Sequence, residues 1–160
     1  FRVPTAMGRG GFAWWPASHC RAMLSPGSVL PWGHRKDWRV GLSCLLFCLP
    51  MAYDPSCRWP LQALTSLMSD YVHPGRSSYW HVVDRWYATA NVLAVTARAF
   101  RCMCAPVVVA LFATSIGCKV AGAVCARRHD FRGYCASHVL WHVCAAGSAT
   151  IVERSWVAMG

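Results

Sequence analysis

The 160-residue sequence predicts an all-α fold, a helical transmembrane bundle of four to five helices. Three observations predict it. The chain is 56% hydrophobic and only 14% charged, against about 25% charged residues in an ordinary soluble domain. Its longest uncharged stretch, residues 133–152 (GYCASHVLWHVCAAGSATIV), has 20 residues, which as α-helix rise about 30 Å, the thickness of a bilayer's hydrocarbon. Basic residues bracket the apolar runs rather than interrupting them, as the loops flanking membrane spans do. The expected partner is therefore a lipid bilayer. A Cys-rich soluble domain is the alternative that composition leaves open.

The organisation follows in chain order. Residues 1–38 read as an irregular or interfacial segment, because Gly and Pro recur (Gly8, Gly10, Gly11, Pro16, Pro26, Gly27, Pro31, Gly33) beside Trp14 and Trp15 and break regular structure. His19 and His34 have no visible partner there. Residues 39–156 read as a helical membrane domain. It opens with the uncharged run Val40 to Tyr53, with Pro50 near its end, short for a full span unless tilted or truncated. Asp54, Pro55 and Pro60 mark a turn, and Pro60 suits the first turn of a second helix, residues 60–72. There Leu61, Leu64, Met68 and Val72 recur at roughly helical spacing. HPGRSS (residues 73–78) is a turn, and Ser77 or Ser78 can cap a third helix from Tyr79. Asp84 near its start and Arg98 and Arg101 at its end suit the helix dipole. A fourth helix fits Cys102 to Ala126, with Pro106 at its start and Lys119 as its single charge. The basic loop 127–132 leads to the fifth helix, which Glu153 and Arg154 close.

Charge and cysteine content exclude two function classes. The net charge of +10 is carried by scattered residues, fourteen Arg and two Lys, without the clustering or aromatic interleaving of a nucleic-acid surface. No nucleic-acid partner is expected. The ten cysteines show no CxxC and sit within apolar runs, so they read as buried packing residues rather than a disulfide framework.

The chemistry concentrates on a few ionisable groups in apolar helices: Asp70, His81, Asp84, His138 and His142. Such groups face a bundle interior and mark function. His138 and His142 stand four residues apart, on one helix face. Two imidazoles with a carboxylate from another helix form a divalent-metal ligand set, and zinc accepts both ligand types. The alternatives are simple. Each histidine can hydrogen-bond across helices, Ser66 can be a packing residue, Asp84 an interfacial helix start, Asp70 a helix end, and His81 the ion-pair partner of Asp84.

The pattern of Ser66 and a ligand four residues on in TSLMSDYV, Asp84 in WHVVDRW and the pair in SHVLWH resembles the CREST superfamily of membrane proteins, which includes alkaline ceramidases, progestin and adipoQ receptors and post-GPI-attachment proteins. The resemblance spans residues 60–150. It implies a seven-helix bundle, here truncated, in which Ser, Asp and three His surround a zinc ion. It also implies hydrolysis of a lipid amide or ester, with Ser66 and Asp84 as catalytic residues and His138, His142, Asp70 and His81 around the metal. The chain departs from the family by carrying Asp70 where the first family His would stand, and His81 is the candidate third imidazole. A non-enzymatic receptor-like protein or assembly subunit is the competing reading. A truncated product without activity is the third, since the chain starts at Phe1 rather than Met.

Overall fold

The computed structural model describes residues 30–160 together with Leu24 and Pro26. The expectations for Trp14, Trp15 and His19 lie outside the described residues. The described residues are all-helical, with five α-helices and two short helical segments of other pitch and no strand among them.

Helix α1, Trp38–Cys44, starts where the Asp37 carboxylate accepts the Arg39 amide at 2.9 Å. It continues without a break as a tighter 3₁₀ segment, Leu45–Ala52, that contains Pro50. Together they form a short apolar helix, Trp38–Ala52, below the length of a full span, as predicted for the uncharged run. Helix α2, Arg58–Leu67, carries Pro60 in its first turn, where a missing N–H costs nothing. It widens into a π turn, Met68–Val72, closed by the His73 amide on the Met68 carbonyl at 3.0 Å. Helix α3, Tyr79–Arg101, is capped by Ser78, which accepts the Trp80 amide. Helix α4, Ala105–Arg127, begins with Pro106 in its first turn. Helix α5, Phe131–Val157, is capped by Asp130 on the Gly133 amide at 2.9 Å.

Helices α4 and α5 form an antiparallel hairpin, and α5 also meets α1, the 3₁₀ segment and α3. It is therefore the element against which the site is assembled. Its companions are held by two small apolar clusters: Trp59, Val95, Ala99, Val108, Ala149 and Val152, and Phe47, Ala63 and Ala146. Both α4 and α5 are long and apolar enough to cross a membrane.

The buried interior mixes apolar and polar side chains, and many large apolar side chains face outward. Ser43, Gln62, Thr65, Ser66, Ser69, His81, Asp84, Ser115, His142, Ser148 and Glu153 are all buried, while Leu42, Leu93, Val109, Ile116 and Val120 are more than half exposed. The second helix shows why. Its predicted apolar stripe does not turn inward: Leu61 and Leu64 are exposed, and the inward face combines Trp59 and Ala63 with Gln62, Thr65, Ser66 and Ser69. Helical spacing locates a face but not the side on which the solvent lies.

Two further expectations are corrected. Glu153 and Arg154 do not close α5. Glu153 is 1% exposed and pairs with Arg58 of α2 and Arg98 of α3, and the helix runs on to Val157. Asp54 joins this network from the α2 approach, 2.7 Å from Arg58 and 3.5 Å from Arg98. Burial alone would raise the Asp54 carboxyl. The Ser56 hydrogen bonds and the two guanidinium charges outweigh it and hold the group below the usual carboxylate value. His34, expected to lack a partner, lies 3.1 Å from the Pro74 carbonyl. A carbonyl only accepts, so Nδ1 donates.

Candidate metal centre and polar cluster

The site has two parts, both built on α2 and its π turn. In an unbroken α-helix Ser66 and Asp70 would lie on one face. The π turn begins between them at Met68, and the two residues take different partners. Ser66 meets Asp84, whereas Asp70 meets the α5 histidines.

At Asp70, the Oδ2 oxygen lies 3.1 Å from His138 Nε2 and 3.4 Å from His142 Nε2. The first contact is a hydrogen bond. The second is not, and His142 Nε2 is a fully buried ring nitrogen without a hydrogen-bond partner, on a side chain with no exposed surface. The two imidazoles pack edge to face with centroids 4.7 Å apart, and Phe47 and Trp141 wall His142 in. On its opposite side, His142 Nδ1 lies 2.8 Å from Ser43 Oγ and 3.9 Å from Cys44 Sγ, both on α1.

His81 comes to the same end but not to the same point. Its Nδ1 lies 2.8 Å from Ser69 Oγ and its Nε2 lies 2.9 Å from the Arg76 carbonyl. Both ring nitrogens are thus engaged. Ser69 Oγ in turn lies 3.2 Å from Asp70 Oδ1, so His81 is linked to Asp70 through one hydroxyl.

At Asp84, the Oδ1 oxygen accepts from Ser66 Oγ at 2.7 Å, Gln62 Nε2 at 3.1 Å and Thr65 Oγ1 at 3.3 Å. Gln62 also donates to Ser66 at 2.9 Å and accepts from Asn91 at 3.0 Å. The Ser66 proton is committed to Asp84. Asp84 is 6% exposed, so it is no surface helix start. It also lines a cleft of about 470 Å³ with largely apolar walls from the 3₁₀ segment and α2 to α5, into which Gln62, Asn91, Ser115 and Lys119 also face. Neither Asp70 nor either α5 histidine lines that cleft. Trp59 Nε1 and Ser115 Oγ are buried at its wall without hydrogen-bond partners. Lys119 Nζ sits 3.8 Å from the Trp141 ring centroid, so its charge rests on an aromatic face.

Cys44 Sγ, an Asp70 carboxylate oxygen and a His142 ring nitrogen lie within 4.8 Å of one another. Thiolate, carboxylate and imidazole all bind divalent metals, and the His142 nitrogen facing Asp70 has no hydrogen-bond partner. These three residues could hold a metal ion.

Of the sequence-predicted site residues, the structure brings Asp70, His138 and His142 together and, separately, Ser66 and Asp84. His81 stands one hydroxyl away. Ser43, Cys44, Gln62, Thr65 and Asn91 were not singled out by sequence reasoning as partners of these groups. A Ser-Cys pair inside an uncharged run, and a Gln four residues before Ser66, are the signals they carry. The remaining described cysteines are free, with Cys118, Cys135 and Cys144 buried. Comparison with protein-family models, curated proteins and solved structures finds no match to the chain.

Proposed function

We propose that this chain is an integral membrane protein holding a divalent metal, zinc by its ligand chemistry, at Asp70 and the α5 histidines. The membrane part rests on the many large apolar side chains at the surface of the bundle and on two helices of spanning length and hydropathy. The metal part rests on one observation, the approach of His142 Nε2 to Asp70 Oδ2 at 3.4 Å with no hydrogen bond between them. Two lone pairs that face each other in a buried site repel unless a cation or a proton stands between them.

When bound, a metal of this class supplies Lewis acidity and makes hydroxide accessible at neutral pH. The residues' own roles are to bind and orient. Asp70 contributes charge from α2, His138 shares the same oxygen, and the packing of Phe47 and Trp141 excludes water from His142. The test is the metal content of protein purified in detergent, read by elemental analysis. Stoichiometric zinc is expected, with loss in both His142→Ala and Asp70→Asn. A metal-free wild-type protein that cannot be loaded with zinc would overturn the reading.

A finer reading, hydrolysis of a lipid amide or ester in the manner of the CREST superfamily, is favoured by a different observation. Asp84 faces a largely apolar cleft of about 470 Å³, within the size range of ligand sites. In that reading Asp84 acts on the substrate, Ser66 and Gln62 orient it, and Trp59 Nε1 and Ser115 Oγ offer hydrogen bonds to an amphiphile. Turnover of N-acyl or O-acyl lipids that is abolished in Asp84→Asn, with metal retained, supports it. Absence of turnover in the zinc-loaded protein leaves a non-enzymatic metal-binding membrane protein.

A further inference from the structure

We propose that Ser43 fixes His142 as the tautomer protonated on Nδ1, and so selects the Nε2 face of the ring, towards Asp70, as the metal-binding face. The inference rests on the metal reading for its purpose, while the tautomer itself follows from counting protons.

Ser43 Oγ makes two short contacts, 2.8 Å to the Val40 carbonyl and 2.8 Å to His142 Nδ1. A hydroxyl has one proton. The carbonyl can only accept, so that contact takes the Ser43 proton. Ser43 must then accept on its other side, and the donor is Nδ1–H of His142. The Cys44 thiol does not compete, because it lies 3.2 Å from the same Val40 carbonyl and directs its own proton there. A neutral imidazole protonated on Nδ1 is bare on Nε2, and Nε2 is the atom facing Asp70 Oδ2 at 3.4 Å.

His138 takes the opposite state. Its Nε2 forms a hydrogen bond with the same oxygen, and a carboxylate accepts, so His138 donates from Nε2. The pair that looks symmetric in the sequence is therefore unequal. His142 presents a ready lone pair, whereas His138 must move its proton to the other nitrogen before it can ligate.

The assignment also separates the two sides of the His142 ring. Cys44 lies on the Nδ1 side, 3.9 Å away, where it meets an N–H rather than a lone pair. Ser43 is thus a positioning residue, acting on the metal through His142 as outer partners of ligating histidines do, and of the three groups that could hold an ion the proposal assigns Cys44 the role of neighbour, because it stands beside Nδ1–H.

The experiment uses the full chain, metal-free, in detergent with ¹⁵N-labelled histidine. Two-bond proton–nitrogen correlations of the rings are recorded, and the His142 signals are identified by their loss in His142→Asn. Wild-type protein is expected to show a protonated Nδ1 and a bare Nε2 at His142. Ser43→Thr keeps the hydroxyl and is expected to keep this pattern, whereas Ser43→Ala is expected to move the proton to Nε2, where it can bond to Asp70. Zinc titration of the same proteins is expected to show about 10- to 100-fold weaker binding in Ser43→Ala and little change in Cys44→Ala. A wild-type His142 protonated on Nε2 overturns the proposal, and it does so without any Ser43 variant having to fold. A greater loss of zinc affinity in Cys44→Ala than in Ser43→Ala overturns it as well. If wild-type protein binds no zinc, the metal reading falls and the ring signals alone decide the tautomer.

Discussion

Replacing Glu153 by Gln should be among the most destabilising isosteric changes in this chain. Glu153 is 1% exposed and receives Arg58 from α2 and Arg98 from α3, so its charge ties three helices together at the end of the bundle remote from Asp70. Removing one partner of a buried ion pair costs about 3–5 kcal/mol, because the remaining charge is left uncompensated. Here the compensation is only partly lost. Asp54 stays 2.7 Å from Arg58 and 3.5 Å from Arg98, and the Arg58 and Arg98 side chains keep 18% and 31% of their surface in solvent. Both facts move the expectation below that range, to about 2–3 kcal/mol. For a domain of this size each kcal/mol moves Tm by about 2–4 °C, giving a fall of about 4–12 °C. Thermal unfolding in detergent, followed by circular dichroism and by labelling of the buried Cys44, Cys118, Cys135 and Cys144, reads it. A double-mutant cycle of Glu153→Gln with Arg98→Gln should show coupling above about 0.5 kcal/mol. A Tm within 1 °C or so of wild type, or strict additivity in the cycle, refutes the argument that this charge is buried and shared.

Three other outcomes follow from the packing. Ser66→Ala removes the shortest of three hydrogen bonds to buried Asp84 and should cost about 1 kcal/mol, measurable by the same unfolding assay. Gly41→Ala places a methyl 2.9 Å from Cγ of the Tyr71 ring, and should cost about 1–3 kcal/mol unless the ring moves aside, while Gly117→Ala, with open space at that position, should be neutral or slightly stabilising. The Asp54 carboxyl has its folded pKa held below the ordinary value of 3.8, so its contribution is complete above 3.8 and is lost as pH falls below it towards the folded value. Acid titration of Asp54→Asn should therefore lack part of the stability loss seen in wild type below about pH 4.

Local signals in the sequence carried the helix boundaries well and the partners poorly. Ser78 and Pro106 mark starts of α3 and α4 because capping and a missing N–H are decided within one turn. The π turn at Met68–Val72 has no such local signature, yet it lies between Ser66 and Asp70 and accompanies their different partners. Glu153 looked terminal because its partners, Arg58 and Arg98, stand 95 and 55 residues away in the chain. Ser43 is invisible for the same reason: a serine in an apolar run acquires meaning only when His142, 99 residues on, arrives beside it. The grouping of Asp70 with His138 and His142 could be anticipated because buried ionisable groups on different helices have few other ways to be satisfied. Which ring nitrogen meets which oxygen could not.

The α4–α5 hairpin has a consequence for biosynthesis. Among the described residues these two helices are the ones long and apolar enough to cross a bilayer, and both follow α2 and α3 in the chain. Helix α2 and its π turn emerge earlier, carrying Arg58 and Asp70 towards partners on α5, whereas Gln62, His81 and Asp84 find theirs on α2, α3 and the segment between them. Arg58 and Asp70 complete their pairings only when α5 presents Glu153, His138 and His142. Formation of the Asp70 and Glu153 sites would then wait on α5, whereas the Asp84 cluster can close on α2 and α3 without it.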